Sequence, residues 1–199
     1  ASADHLKTLF LECIVAPSFS TEALEILTAK KNLRLLKWDS MLTESTSEVV
    51  KTINGGLLVQ TRDQVDSWNS DWKVIGEQPD EETKQALLLA WKVCAHLKSN
   101  AIAITNSTQS LGLGMGQVNR VDAVEQAVQR WKSFHQGIDG AVLASDAFFP
   151  FPDSIELAHS SGIKKIIQPG GSIKDPEVIA KAEELGIQMI LTGQRHFLH

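Results

Sequence analysis

The strongest constraint on this chain is its alternation of short apolar runs with longer stretches of helical periodicity. Apolar runs at 11–16, 33–38, 56–61, 101–105, 110–113, 140–144, 165–168 and 188–191 have strand length and are bounded by polar or glycine-containing breaks. Between them, 21–30, 81–98, 122–134, 154–161 and 176–185 read as helices. In the longest of these, Leu87, Leu88, Trp91, Val93 and Cys94 form a broad apolar stripe suited to a core-facing helix. Strands and helices in this order predict an α/β fold, a mixed or mostly parallel central sheet with helices packed on it.

Helix starts carry their own chemistry. Asp80, Glu81 and Glu82 follow Pro79, placing acids where the helix dipole favours them. Ser172 and Asp175 have capping-box spacing, and Pro176 offers a second start with proline at the first helical position. One of Asp146 and Asp153 is expected to cap the helix after the Phe148 loop. The polar segment 63–80 holds Trp68 and Trp72 among charges and reads as a long surface loop or arm. No internal repeat appears, and the short patch 43–47 is the one low-complexity tract, so one domain is expected.

Composition narrows the function classes. The 199 residues carry a formal charge of −5, which argues against generic nucleic-acid binding, because displacing phosphate counterions needs basic surface. No run approaches the roughly 18 apolar residues of a membrane span, and Asp4, His5 and Lys7 interrupt any leader-like region. Cys13 and Cys94 form no CxxC pair and read as buried free thiols of a reducing compartment. Cytoplasmic is the expected location.

Several clusters could carry chemistry. Lys98-Ser99-Asn100 joins the long helix to the next strand; Asn100 serves either a turn or the orientation of a carboxamide or transferring carbonyl. Gly112, Gly114 and Gly116 have GxGxG spacing, which is not a dinucleotide fingerprint. They permit a tight turn or close backbone approach to a ligand. Arg120 after them suits an anionic ligand or a surface ion pair. In the segment 144–153, Phe148, Phe149 and Phe151 occupy a loop, and either core burial or stacking on a flat heteroaromatic ring accounts for them. Gln168-Pro169-Gly170-Gly171-Ser172 reads as a strand, a glycine-rich turn and a helix start, where backbone amides can face an anion. The final segment 192–199 combines Gly193, Arg195, His196, Phe197 and His199, and reads as a docked tail with Arg195 facing a phosphate or carboxylate.

Together these segments resemble the bifunctional 5-aminoimidazole-4-carboxamide ribonucleotide (AICAR) transformylase/inosine monophosphate cyclohydrolase family. The phrases SDAFFPF, IIQPGGSI and TGQRHFLH carry the resemblance, which extends from about Phe10 to the last residue. It implies the second (C-terminal) subdomain of the transformylase domain over residues 1–199, cytidine-deaminase-like in fold. The HxE and PCxxC zinc signature of true deaminases is absent, so the implied fold has no zinc site.

The resemblance further implies formyl transfer from 10-formyltetrahydrofolate, the co-substrate, to the 5-amino group of AICAR. By it, Asn100 sits at the reacting centre and His199 hydrogen-bonds close to the amine. Phe148 contacts the imidazole ring, and Arg195 and Phe197 bind the nucleotide. Arg120, Val121, Ala147, Phe151, Asp153 and Ser172 surround the folate. Some relatives hold a structural monovalent cation near the aspartate that corresponds to Asp146. The family's Lys-His pair, its Arg-Tyr-Gly-type nucleotide motif and its cyclohydrolase domain match nothing here. The expected partners are therefore the missing N-terminal half of the same protein and a second copy in a homodimer. A non-catalytic nucleotide- or folate-binding module is the alternative.

Overall fold

The computed structural model describes residues 2–41, 48–65 and 67–198. His199, Asp66 and the patch 43–47 lie outside the described residues. Where one domain was expected, the chain divides into two compact units, Ala1–Arg62 and Asp63–His199.

The first unit begins with helix α1 (Ser2–Leu6), followed by strand β1 (Cys13–Ala16), helix α2 (Thr21–Thr28) and strand β2 (Arg34–Lys37). The two strands pair in parallel, so α2 is a crossover helix, and Ser20 Oγ caps it by accepting from the Ala23 N–H at 3.2 Å. Strands β3 (Glu48–Ile53) and β4 (Gly56–Thr61) form an antiparallel hairpin whose register leaves Asn54 and Gly55 as a two-residue loop. Gly55 has φ +81°, the left-handed conformation such a loop needs. The strand at 48–53 was not expected. Its mixed polar and apolar residues disguise it, although Asn54-Gly55 is itself a hairpin signal. Cys13, expected to be buried, is exposed on β1.

The second unit is a six-stranded mixed sheet in the order β5-β10-β9-β8-β6-β7. Its strands are β5 (Lys73–Ile75), β6 (Ile102–Thr105), β7 (Ser110–Gly114), β8 (Val142–Ser145), β9 (Lys165–Gln168) and β10 (Gln188–Leu191). Four helices complete it: α3 (Glu81–Ala95), α4 (Arg120–Phe134), α5 (Asp153–Ser160) and α6 (Asp175–Glu184). The α/β class with a mixed central sheet is the one expected from the sequence.

Alternation along the strands builds two cores. Ile102, Ile104, Leu143, Ile166 and Met189 point to the face covered by α4, α5 and α6. Ala101, Ala103, Val142, Ala144, Ile167 and Ile190 point to the other, where α3 delivers Leu87, Ala90, Trp91 and Cys94. The small residues on this face let α3 lie close, so Trp91 is fully buried. Burial of a side chain of that size contributes roughly 1.5–3 kcal/mol. Asp80 caps α3, its Oδ1 accepting from the Thr83 N–H at 2.8 Å. Hydrogen bonding from the Thr83 side chain first, and then from its backbone N–H, holds the Asp80 carboxyl below the usual carboxylate range.

Two expectations change here. The segment 63–80 is not an arm: it carries β5, which pairs antiparallel with β10, and Trp72 packs edge-on against Trp91 with ring centroids 6.5 Å apart. The glycines of β7 do not approach a ligand either. A Cβ at Gly112 would lie 2.1 Å from the Ala127 carbonyl oxygen, and one at Gly114 would lie 1.9 Å from that of Ala123. Both glycines seat α4 on the sheet. Gly114→Ala is therefore expected to lower the stability of the second unit by about 1–3 kcal/mol, because helix backbone must move to admit the methyl. A urea midpoint equal to that of the unsubstituted chain would contradict this.

Candidate active site

Strands β7, β8, β9 and β10 all run toward the same edge of the sheet, the one at which β6 and β5 begin. The register shows it: Ile102 stands opposite both Gly114 and Ser145, and Leu191 opposite both Gln168 and Lys73. Segments 115–119, 146–152, 169–174 and 192–198, with 98–101, therefore share one edge despite their separation in sequence. Carboxyl ends of parallel strands are where open α/β sheets place ligands. Among the described residues of this unit, every exposed large apolar side chain except Phe134 lies here: Met115, Val118, Phe151, Ile173, Phe197 and Leu198. An apolar rim of this kind marks a recognition surface. Among the described residues, a groove of about 490 Å³ runs along β7 and α4 and reaches Met115, and others lie near Lys165 at the opposite edge.

Beneath the rim is a buried polar network. Asn119 caps α4 by accepting from the Asp122 N–H at 2.9 Å, which sets Arg120 in the first turn. Arg120 points inward and is buried, not at the surface where a ligand or exposed ion pair would require it. Its Nη1 bonds Asp146 Oδ1, and also donates to Ser145 Oγ at 3.0 Å and the Ala101 carbonyl at 3.4 Å. Its Nη2 donates to Asn100 Oδ1 at 2.8 Å. Asp146, fully buried, also accepts from the Ala101 N–H at 3.1 Å and the Ser99 hydroxyl at 2.5 Å. Asn100 Nδ2 in turn donates to the Gln117 carbonyl at 2.9 Å, and the Ser99–Asn100 peptide is cis. Cys94 lies under the network, its Sγ 3.4 Å from the Ala101 carbonyl. Burial first, and then the charge on Asp146, pushes its thiol well above the ordinary range.

The residues present do not fit a monovalent cation at Asp146. The Arg120 guanidinium already compensates its charge, and a second cation against the buried carboxylate would stand beside a like charge. Among the described residues, no group of three or more His, Cys, Asp or Glu is placed to hold a metal ion.

The aromatic loop is divided between two roles. Phe149 is fully buried in the core, Phe148 is half-buried, and Phe151 is exposed. Ala147 is buried, Val121 is half-buried, and Asp153 is exposed. Neither Asp146 nor Asp153 caps α5: Pro152 holds the cap position, and Asp153 Oδ1 accepts from its neighbour's N–H at 2.6 Å. Ser172, half-buried, accepts from the Lys174 N–H at 3.0 Å, and Asp175 reaches back to the N–H groups of Gly171 and Ser172 at 2.6 and 3.1 Å. Gln168, to which the sequence alone assigns no role, ties the two loops together. Its buried Oε1 accepts from the N–H groups of Phe149 at 3.2 Å and Gly170 at 3.4 Å.

The tail docks as expected, and His196 is its buried residue. Phe197 is 40% exposed, whereas His196 is 1% exposed. The His196 N–H donates to the Asp146 carbonyl at 2.8 Å, and the Ser99 N–H donates to the Leu198 carbonyl at 2.9 Å. His196 Nδ1 lies 2.6 Å from Asp63 Oδ2, and its ring meets Trp91 edge-on at 4.5 Å. Exposed Arg195 stacks over the Phe197 ring at 4.9 Å. Asn100 and Arg120 thus touch directly, Gln168 joins the loops that carry Phe148 and Ser172 through Phe149 and Gly170, and Arg195 and Phe197 enter with the tail. His199 lies outside the described residues.

Known proteins share this sequence to different extents. A family described as "AICARFT/IMPCHase bienzyme" matches residues 1–130. The bifunctional purine biosynthesis protein PurH of Prochlorococcus marinus (strain MIT 9301) is 50% identical over 200 residues, which is 100% of this chain and 38% of that protein. Its counterparts in Caldicellulosiruptor saccharolyticus and Streptococcus agalactiae are also 50% identical, over 202 and 203 residues, all of this chain and 38% and 39% of theirs. The chain thus spans less than half the length of the curated relatives it matches. Among solved structures, the dCMP deaminase from the cyanophage S-TIM5 in apo form aligns with TM-score 0.38 and 15% identity, over 56% of this chain and 98% of that one. Among the described residues, no helix is long and apolar enough to cross a membrane.

Proposed function

We propose, because this chain belongs to the AICARFT/IMPCHase bienzyme family, that it supplies the C-terminal half of a cytoplasmic formyltransferase of purine biosynthesis. In this reading a formyl group passes from 10-formyltetrahydrofolate to the 5-amino group of AICAR. The observation that carries it is the convergence of five separated motif segments on one sheet edge, around Asn100 and within an apolar rim.

The chemistry sets the demands. The AICAR amine is a poor nucleophile, because its lone pair is delocalised into the imidazole. Its nitrogen bonds to the formyl carbon, an oxyanion forms there, and the bond from that carbon to folate N10 breaks as the amine proton passes to the departing nitrogen. Catalysis must orient the amine, move its proton and stabilise the oxyanion. Asn100 is suited to stabilising the oxyanion, because its amide nitrogen has two donors and Gln117 takes only one. Phe148 stacks on the imidazole, Arg195 grips the nucleotide through its planar fork, and Phe197 lines the same pocket. Val121, Ala147, Phe151, Asp153 and Ser172 surround the folate together with the backbone at Arg120, whose guanidinium is engaged inside. His199 serves the amine. The rim then meets the rest of the protein, in a homodimer with shared sites.

The test is steady-state formyl transfer by the complete protein, followed as tetrahydrofolate release. Asn100→Ala is expected to lower kcat by roughly 10²–10³-fold, the usual effect of losing one oxyanion donor. An unchanged kcat removes Asn100 from the reacting centre.

A further inference from the structure

We propose that Arg120 is a positioning residue for formyl transfer, acting through Asn100: it locks the carboxamide's orientation and strengthens its free N–H as an oxyanion donor. The inference rests on the placement of Asn100 at the reacting centre. It deepens that reading by giving the Arg120 guanidinium, engaged inside the unit, a role exerted through Asn100.

A carboxamide has two ends of nearly equal shape, and its neighbours decide which way it faces. Here Arg120 Nη2 donates to Oδ1 at 2.8 Å and the Gln117 carbonyl accepts from Nδ2 at 2.9 Å. A flipped amide would set its NH₂ against the guanidinium and its oxygen against the Gln117 oxygen, so the two partners agree on one orientation. The second N–H of Nδ2 is then held in place for the substrate. Donation from a cation onto Oδ1 draws electron density through the amide resonance and makes that N–H more acidic. The guanidinium cannot drift, because Nη1 is fixed by Asp146, Ser145 and the Ala101 carbonyl. Asp146 is itself held by Ser99 and the Ala101 N–H. The donor is thus oriented before the oxyanion appears, so it need not reorganise during the reaction.

Arginine is required for this arrangement. Its planar fork spans Asp146 with one nitrogen and Asn100 with the other, whereas lysine offers a single point charge. Lysine keeps the charge beside Asp146 and gives up the bond to Asn100, so Arg120→Lys separates positioning from structural charge balance.

The experiment is a double-mutant cycle in the complete protein with Asn100→Ala, Arg120→Lys and the two combined. The readouts are kcat and the KM values for AICAR and 10-formyltetrahydrofolate. Arg120→Lys is expected to lower kcat on the order of tenfold. Its folate KM should stay within about twofold, and the combined variant should be no slower than Asn100→Ala alone. A raised folate KM at unchanged kcat, or a combined loss equal to the product of the single losses, overturns the inference and leaves Asn100 in its role. An unchanged kcat in Asn100→Ala overturns both. Circular dichroism verifies folding. Should Arg120→Lys fail to fold, Arg120→Gln with Asp146→Asn removes both charges together and enters the same cycle.

Discussion

Asp146→Ala is expected to destabilise the second unit by about 3–5 kcal/mol, the usual result of leaving one member of a buried ion pair alone. The carboxylate is fully buried and compensates a guanidinium that is itself nearly inaccessible. It also fastens the start of β6 to the end of β8 through Ser99 and the Ala101 N–H. Removing it leaves a cation in a low-dielectric site and frees those donors at the same time. Glu177→Ala supplies the comparison. Its partner Lys174 lies 2.5 Å away, but both side chains are about half exposed, so solvent screening holds the effect to within about 1 kcal/mol. Guanidinium chloride unfolding of the two variants reads the contrast directly. Equal midpoints would show that Asp146 does not hold the edge together.

The isolated chain is expected to transfer no formyl group at a measurable rate. It spans 38% of the length of its Prochlorococcus marinus relative, and nothing in it matches the Lys-His pair and the nucleotide motif that the family resemblance locates upstream. Loss of a positioned acid/base group typically slows a reaction about 10²–10⁴-fold, and loss of half of the nucleotide site adds to that. Tetrahydrofolate release assayed with the chain alone decides the matter. Robust turnover would mean that the site is complete within these residues and that another base serves.

Much of this architecture was legible because the strands of the second unit are apolar runs with clear breaks on both sides. The run at 101–105 became β6, and 165–168 and 188–191 became β9 and β10 without a shift in bounds. The three residues of β5 are too few to show alternation, and they lie among charges. The site was legible as a set of segments but not as a set of contacts. Arg120 and Asp146 stand 26 positions apart, and only the meeting of β6, β8 and α4 turns a surface-like arginine into a buried partner. Glycine-x-glycine on β7 reads locally as room for a ligand, and only the position of α4 shows that a helix fills it. In the tail, the sequence singled out Arg195 and Phe197, and neither is the buried residue. His196 is buried instead because its backbone meets Asp146 and its ring meets Trp91 and Asp63.

Because the candidate-site segments of the second unit all leave one edge of the sheet, the other edge offers positions for handling the protein. Turns at 106–109, 135–141, 161–164 and 185–187 join the same strands and helices at the far end. A fluorophore, an affinity handle or a short inserted peptide at the 135–141 turn would be anchored to a rigid scaffold. It would stand a full strand length from the chemistry, and surface turns of this kind accept additions readily. The fold therefore lets an observer attach a reporter without touching the part that would do the work.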